Sequence, residues 1–335
     1  MKQLSDIQKK MLALLEEQGE ASAAEFKGLM PGLPEQTVFS RIRALERKGL
    51  IYEAGRGLYA TGAKPVYRVV ASPKMLELNS LLVSEFVGAS LCISSLDGNN
   101  IIIETDRKEC NPMLVFLRSR YPGVFSLKEA IAFREKLKDA IVVKALVSDA
   151  PQIVSDGMSA PSLEKTLVDL VADRAFFRLD DDALHKEYQR AFEVYPVRKD
   201  RMLRYAGRRG VAEEVEDQIA GINLERVATI SIIQQTLRKQ PVLRAWLFGS
   251  WSRQEERVDS DIDLLVSFDE TQDVSLLDYT KYMLELQDNT GKKIDYVENG
   301  YLLPFAEESA NKEKYIIYER TYKRPTEIGT YHKGY

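Results

Sequence analysis

The chain has 335 residues, too many for one hydrophobic core, so two or three domains are expected. Its 44% hydrophobic and 29% charged content is ordinary for a globular protein, and no apolar run approaches the ~20 residues that a membrane helix needs. Two cysteines and two histidines exclude a disulfide framework and disfavour a zinc site. The N-terminus lacks the apolar core of a signal peptide, so we expect a cytoplasmic protein.

The net charge of −4 is unevenly distributed along the chain. Residues 1–72 carry 11 Lys+Arg against 8 Asp+Glu, whereas residues 241–335 carry 12 against 18. A mildly basic start and an acidic end indicate two kinds of partner. Together with the pattern of helices and strands described below, this charge distribution predicts a multidomain α+β protein with three domains, at residues 1–72, 73–222 and 223–335.

The first of these segments has the pattern of a winged helix-turn-helix. Ser5 is placed to cap a first helix, ASAAEFKGLM is a second short helix, and a third runs from Pro34 or Glu35 to Lys48. Two strand-like runs follow, IYEAGRGLYATG and KPVYRVVAS. Three helices and a β-hairpin in this order predict a DNA-binding winged helix.

The third helix has two faces of different chemistry, as expected of a helix that binds DNA. Its core face is apolar at Val38, Ile42 and Leu45. The opposite face offers hydrogen-bonding and cationic side chains suited to bases and phosphates: Gln36, Ser40, Arg43 and Arg47. Arg56, at the predicted hairpin tip, is a further phosphate or minor-groove contact. The alternative is a winged helix that contacts only proteins. A homodimer on an inverted-repeat operator is expected, because one such domain binds weakly.

The middle segment, residues 73–222, is predicted to be mixed α/β. ASLCISSLDGNNIIIETD predicts a hairpin turning at Asp97-Gly98, DAIVVKALV predicts a strand, and Ser126 and Ser162 are predicted helix caps. Glu85, Asp97 and Glu104 have no lysine partner at a motif spacing, so no nuclease site is predicted.

A cationic stripe ends this segment. The residues recur at helical spacing: Arg201, Arg204 and Arg208. A solvated helix face and a contact with DNA phosphates remain equally open interpretations.

The winged helix followed by "SAPSLEKTLVDLVAD" and "RMLRYAGRRG" resembles the AbiEi-like antitoxins and transcriptional regulators. The resemblance covers about residues 1–220. It implies a repressor of its own operon in a toxin–antitoxin or phage-defence locus, and it brings no catalytic residues.

The third segment contains "LFGSWSRQEERVDSDIDLLVSF", in which Gly249-Ser250 precedes Asp261-Ile262-Asp263 by ten residues. Strand alternation places Asp261 and Asp263 on one face, where two close carboxylates are best stabilised by a cation. A Gly-Ser turn at a helix start offers N–H groups and a hydroxyl to phosphate. The pattern also predicts strands in PVLRAWLF, DIDLLVSF and KKIDYVE and a closing helix through LPFAEESANKEKYIIYE. Asp295, in the strand KKIDYVE, adds a third carboxylate. Three carboxylates and two Mg²⁺ ions form the two-metal device of nucleotidyl transfer.

These motifs resemble the nucleotidyltransferase superfamily, and most of all its minimal nucleotidyltransferase (MNT) domain, over about residues 225–320. The resemblance implies that Gly249 and Ser250 hold the triphosphate. It further implies that Asp261 and Asp263 bind both metals, while Asp295 binds one and helps to activate the attacking hydroxyl. Arg253 matches an arginine of the family's turn that contacts phosphate.

The turn departs from the family at two positions. Gln254 stands where the family often has glycine, and Trp251 is unusual and either stacks on a base or packs.

Two hypotheses follow for the whole chain. In the first, the chain binds its own promoter and also transfers a nucleoside monophosphate, preferably AMP, from an NTP to a protein hydroxyl. The MNT resemblance suggests a tyrosine of a HEPN-type toxin as the acceptor. Transfer to RNA is the alternative form of this hypothesis. In the second, the transferase fold is a non-catalytic scaffold in a repressor. The tyrosines near the C-terminus are further acceptor candidates, although ordinary packing or exposure is the simpler interpretation: Tyr315, Tyr318, Tyr322, Tyr331 and Tyr335.

Overall fold

The first six elements build a small helical layer on an antiparallel sheet. A computed structural model describes residues 4–320, except 19, 48–49, 56–57, 62–66, 96–99, 134, 136, 258, 270 and 303. The elements are α1 (Asp6–Gln18), β1 (Glu20–Ser22), α2 (Ala23–Gly28), α3 (Glu35–Arg47), β2 (Ile51–Gly55) and β3 (Leu58–Thr61). The sheet has the order β1-β3-β2, and the helices bury Met11, Phe26, Val38, Ile42 and Leu45 beside it.

The hairpin of this layer is shorter than predicted. β2 and β3 both lie within IYEAGRGLYATG, and they pair antiparallel with Glu53 opposite Tyr59. The prediction of a strand in KPVYRVVAS is wrong for residues 67–72, which form no helix or strand. The extra pairing partner of β3 is β1, a short strand that ends at the capping residue Ser22.

The next elements form a mixed four-stranded sheet with helices against it, and their last two strands form a separate antiparallel pair. They are α4 (Pro73–Glu85), β4 (Leu91–Ser95), β5 (Ile101–Thr105), α5 (Cys110–Arg118), β6 (Val124–Ser126), α6 (Leu127–Ala132), β7 (Ile141–Ala145), β8 (Gln152–Ser155) and β9 (Met158–Pro161). The order is β4-β5-β7-β6, with β4 and β5 antiparallel and β7 parallel to both its neighbours. The predicted hairpin of β4 and β5 is confirmed, although Asp97 and Gly98 lie outside the described residues.

A helical layer follows, consisting of α7 (Leu163–Ala172), α8 (Arg174–Phe177), α9 (Asp181–Val194), α10 (Lys199–Arg209) and α11 (Ala212–Ala220). The predicted caps are confirmed, since the Ser162 side chain accepts a hydrogen bond from the N–H of Lys165 at the start of α7. Ser126 and Glu129 likewise form the predicted capping box of α6.

Buried ion pairs join this helical layer to the sheet. The Lys165 ammonium is fully buried and lies 2.7 Å from Glu104 Oε1 and 2.5 Å from Asp169 Oδ2. Lys144 is directly opposite Glu104 in the pairing of β5 and β7, and its Nζ lies 2.7 Å from Asp173 Oδ2. Glu104 therefore does have lysine partners, which sequence spacing could not reveal because they come from other elements. The Lys165 side chain is fully buried and paired with two carboxylates, which favours a structural role for these pairs.

The last elements are α12 (Leu224–Lys239), β10 (Val242–Phe248), α13 (Gly249–Arg253), β11 (Ile262–Phe268), α14 (Leu276–Thr290), β12 (Ile294–Glu298), α15 (Pro304–Glu313) and β13 (Tyr315–Glu319). Their sheet has the order β12-β11-β10-β13, in which β11 and β12 are parallel and β10 is antiparallel to both its neighbours. The described residues divide into two compact units, one up to Val227 and one from Ala228.

The prediction of one helix through LPFAEESANKEKYIIYE is wrong at its end. Tyr315–Glu319 is a strand, because a run of β-branched and aromatic residues suits a sheet position and β10 offers a free edge. Tyr318 packs there with 3% of its surface exposed. Tyr322, Tyr331 and Tyr335 lie outside the described residues. No described helix combines the length and apolarity needed to cross a membrane.

Candidate active site

The turn between β10 and α13 requires glycine. Gly249 has φ +67°, in the left-handed region that side chains disfavour. A Cβ added to it would also lie 2.9 Å from Cγ of Asp263, closer than real Cβ contacts come. The backbone of the Gly-Ser turn and the Asp263 carboxylate are therefore in direct contact.

Two of the predicted carboxylates face each other across parallel strands. Asp263 is the second residue of β11, Asp295 is the second residue of β12, and the two are direct partners in the strand register. Asp261 immediately precedes β11, and the side chain of the intervening Ile262 is fully buried. Since side chains alternate along a strand, the aspartates share the face opposite to Ile262.

The electrostatics of this face are dominated by negative charge. Burial, together with the neighbouring carboxylates of Asp295, Asp261 and Glu313, raises the pKa of Asp263 to about 6, against the opposing effect of Arg253. A carboxylate with so many acidic neighbours is stabilised by a counter-charge. The site thus favours binding of a cation.

The cation site is not pre-assembled. Within the described residues, no three or more acidic, histidine or cysteine side chains are grouped closely enough to hold a metal ion. Of the expected set of Asp261, Asp263 and Asp295, the Asp261 carboxylate forms an ion pair with the ammonium of Lys293. That hydrogen bond raises the pKa of Lys293. Even so, the donors are hard carboxylate oxygens and Asp263 lacks a full counter-charge, so these residues fit Mg²⁺.

The phosphate-binding candidates lie together at the turn. Gly249 donates its backbone N–H to Oε1 of Glu313 over 3.0 Å, and Arg253 donates from Nη1 to Oε2 of the same residue over 2.6 Å. Arg253 also donates from Nε to Glu255 over 2.8 Å. Ser250 is half-buried beside them. An N–H group, a hydroxyl and a guanidinium at one turn can bind an anion.

Sequence reasoning missed Glu313 and Lys293. Both are brought in by strand register: Leu247 pairs with Tyr315 in β10 and β13, which places Glu313 across from Gly249, and Ile262 pairs with Ile294, which places Lys293 beside Asp261. The β-branched and aromatic run YIIYE is typical of a strand, and pairing that strand with β10 would have located Glu313.

The two unusual turn residues have structural explanations. Trp251 is only 3% exposed, so it packs in the domain and is not available to stack on a base. Gln254 has φ +58° at the C-terminus of α13. Glycine adopts that conformation without strain, which explains why glycine suits this position.

Comparisons with known proteins cover both parts of the chain. Residues 37–225, more than half of the chain, match the model of a family of unknown function, DUF6577. The chain belongs to the DUF6577 family. Residues 231–323 match the polymerase beta nucleotidyltransferase family.

Two similar proteins come from Methanocaldococcus jannaschii, and both are proposed protein adenylyltransferases. MJ0435 is 41% identical over 68 residues, which are 20% of this chain and 71% of that protein. MJ1379 is 35% identical over 77 residues, which are 21% of this chain and 77% of that protein. The C-terminal part of this DUF6577 protein is therefore a nucleotidyltransferase domain of the polymerase beta type.

A solved structure also aligns with this domain. It is a tri-AMPylated HEPN toxin of Shewanella oneidensis in complex with an MNT antitoxin. The aligned residues are 18% identical and cover 28% of this chain and 71% of that chain, with a TM-score of 0.22. The matched family at residues 37–225 is DUF6577, so the AbiEi resemblance stays a prediction.

The predicted DNA-contacting residues fall in two places of the DUF6577 protein. On α3, Gln36, Ser40 and Arg43 are exposed, and the apolar residues Val38 and Ile42 are buried as predicted. For Arg47 only the backbone is described, and Arg56 lies outside the described residues.

The cationic stripe of α10 is largely engaged by the chain itself. Arg201 donates to the carbonyl of Gln152 over 3.3 Å, and Arg204 pairs with Asp200 over 3.3 Å. Arg208 donates to the carbonyl of Ser148 over 2.7 Å. Arg204 and Arg208 nevertheless remain exposed to solvent.

Proposed function

We propose that the nucleotidyltransferase domain transfers AMP from ATP to a hydroxyl group of another protein, with Mg²⁺ as cofactor. The observation that carries this proposal is the register that sets Asp263 opposite Asp295 with Gly249 in contact with Asp263. The similarity to MJ0435 and MJ1379, two proposed protein adenylyltransferases, supports AMP as the group and protein as the acceptor.

In this mechanism each residue has a defined role. The Gly249 N–H, the Ser250 hydroxyl and Arg253 bind the phosphates of ATP, and Asp261, Asp263 and Asp295 hold Mg²⁺. When bound, Mg²⁺ neutralises charge on the phosphates and on the departing pyrophosphate. The acceptor oxygen forms a bond to the α-phosphorus while the bond to the β-phosphate oxygen breaks. Asp295, exposed at the rim of the site, accepts the proton of the attacking hydroxyl.

The acceptor that we propose is a tyrosine of a toxin encoded beside this protein, of the HEPN type that the MNT resemblance implies. The segment 241–335 carries 12 Lys+Arg against 18 Asp+Glu, and an acidic surface disfavours RNA, which is itself polyanionic. A protein acceptor is compatible with that charge.

Label transfer tests the proposal. Purified protein is incubated with Mg²⁺ and each α-³²P-labelled NTP in host lysate, with and without RNase, beside Asp261→Ala/Asp263→Ala. We expect label from ATP on a protein band, absent with the double variant. RNase-sensitive label would instead indicate an RNA-modifying transferase. No label from any nucleotide would favour the alternative that the fold is a non-catalytic scaffold.

We further propose that the N-terminal part is a winged helix that binds the protein's own promoter, in the manner of AbiEi-like repressors and as a homodimer. The element order of α1 to β3 and the exposed polar face of α3 support this assignment, since Gln36, Ser40 and Arg43 suit contacts with base edges and phosphates. The exposed Arg204 and Arg208 are candidates for additional phosphate contacts.

Gel-shift titration on the upstream DNA tests this second role. Arg43→Ala should weaken binding by roughly five- to fiftyfold, whereas Lys9→Ala, which removes an exposed cation from α1, should leave it within about twofold. Equal effects of the two substitutions would show that binding follows net charge rather than the α3 surface. Absence of any shift would favour a winged helix that contacts proteins only.

A further inference from the structure

Glu313 occupies both ends of the phosphate-binding turn. Its Oε1 accepts the Gly249 N–H at 3.0 Å, and its Oε2 accepts from Arg253 Nη1 at 2.6 Å. The Glu313 side chain is 19% exposed and that of Arg253 is 43% exposed, so the carboxylate lies mostly inside the domain while the guanidinium remains open to solvent. A single carboxylate thus binds two of the three donors to which the proposed function assigns ATP phosphate.

This contact is built into the sheet. Trp246 pairs with Ile316 and Leu247 with Tyr315 in the antiparallel ladder, and continuing that register by two residues sets Glu313 against Gly249. The end of α15 is therefore held at the turn by strand pairing.

Anionic oxygens of carboxylate and phosphate seek the same donors. One backbone N–H and one guanidinium bind either group through charge-assisted hydrogen bonds. The single N–H of Gly249 cannot serve both groups, and two anions held side by side at one guanidinium repel each other. Nucleotide binding must therefore displace the Glu313 carboxylate.

We infer that Glu313 is an internal phosphate mimic, which holds Gly249 and Arg253 in place in the nucleotide-free domain and competes with ATP for them. The inference rests on the proposed function of this turn as a nucleotide site. It gives Glu313 a positioning role that predicts the direction in which nucleotide affinity changes. Neutralising Glu313 tightens nucleotide binding, whereas neutralising a residue that only supports the fold weakens it.

Equilibrium binding to the full-length chain tests the inference. The probes are ATP with Mg²⁺ and inorganic triphosphate without metal, and the proteins are wild type, Glu313→Gln and Glu308→Gln. Glu308 lies on the same helix and forms an exposed pair with Lys312, so it matches the charge change away from the turn. We expect Glu313→Gln to bind both probes roughly three- to tenfold more tightly, and Glu308→Gln to match wild type. In label transfer, KM for ATP should fall with little change in kcat.

A second variant, Glu313→Asp, keeps the inference testable if Glu313→Gln fails to fold. Glu313→Asp keeps the charge but is one methylene shorter, so it cannot span both donors, and it should tighten binding to an intermediate degree. Wild type that binds both probes while neither Glu313 variant binds more tightly would overturn this inference alone. If wild type and both variants bind neither probe, the nucleotide site itself is refuted, and the proposed function with it.

Discussion

Asp263 and Asp295 lie directly opposite each other in the parallel pairing of β11 and β12, with the backbone of Gly249 against Asp263. Two like charges on neighbouring strands destabilise a sheet unless a cation lies between them. The domain therefore retains an arrangement that is unfavourable for metal-free folding. That trade of stability against activity is typical of a catalytic site.

Replacing Asp263 should separate stability from activity. Asp263→Asn removes the half-buried carboxylate whose pKa is raised to about 6, so in EDTA it should stabilise the domain by about 1 kcal/mol after discounting for solvent screening. Label transfer should fall by roughly 100- to 1000-fold, because a metal ligand is lost. Thermal unfolding in EDTA and labelling kinetics measure the two effects. If Asp263→Asn lost stability together with activity, the Asp263 carboxylate would not destabilise the metal-free domain as we infer.

The turn should tolerate no side chain at Gly249. Gly249→Ala places a Cβ within contact of Asp263 at a φ of +67°, so we expect a loss of about 2 kcal/mol in unfolding free energy and weaker nucleotide binding. Urea unfolding and ATP binding measure the two effects. Gly300→Ala is a control for the conformation alone, because that glycine has φ +99° but no atom close to an added Cβ. Equal ATP binding by the two variants would show that the contact with Asp263 is unimportant.

Gln254 offers a stabilising substitution. Its φ of +58° strains any side chain by about 1 kcal/mol, so Gln254→Gly should raise the melting temperature, whereas Gln254→Ala should not. Differential scanning calorimetry distinguishes these outcomes. A glycine variant that melts below the alanine variant would mean that the glutamine side chain contributes more than the strain removes.

The buried ion pairs of the DUF6577 part should be strongly coupled. Lys165→Met leaves Glu104 and Asp169 with less cationic compensation in the interior, so we expect a loss of about 3 to 5 kcal/mol in unfolding free energy. Lys186→Met, which breaks an exposed pair with Asp182, should cost less than about 1 kcal/mol. Denaturant unfolding of both variants, and of Lys165→Met combined with Glu104→Gln, measures the coupling. Strict additivity in the double variant would contradict a shared network.

Thiol labelling should distinguish the two cysteines. Burial raises the pKa of Cys92 to about 12, so at pH 8 only about one molecule in 10,000 carries the thiolate that reacts. Burial raises the pKa of Cys110 as well, but that thiol is partly exposed. Native protein should therefore label at Cys110 first, with a rate that increases with pH, and at Cys92 only on unfolding. Equal rates at the two positions in native protein would contradict the buried placement of Cys92.

Sequence reasoning located most of the C-terminal domain because its signals are local. The Gly-Ser turn, the alternation at Asp261 and Asp263, and the short strand around Asp295 each depend on a few neighbouring residues, and the strands β10, β11 and β12 are where the pattern predicted them. The register between β11 and β12, which brings Asp263 and Asp295 together, is a tertiary property that no spacing could give.

The contacts that were missed all depend on distant residues. Glu313 reaches Gly249 only because YIIYE is a strand, whereas the sequence pattern predicts that the helix before it continues through this run. Lys144 and Lys165 reach Glu104 through sheet pairing and helix packing. Composition alone could not distinguish a lysine that packs inside from one on a solvated face.

The most direct measurement of the central claim is transfer of α-³²P label from ATP by single variants of the site. We expect Asp263→Asn and Asp295→Asn to reduce transfer to the protein acceptor by roughly 100-fold or more, while Asp259→Asn, which changes an exposed acid of the same loop, retains it. Transfer that persists in Asp263→Asn and Asp295→Asn, or that is lost equally in all three variants, would contradict a nucleotidyltransferase site built on these facing carboxylates.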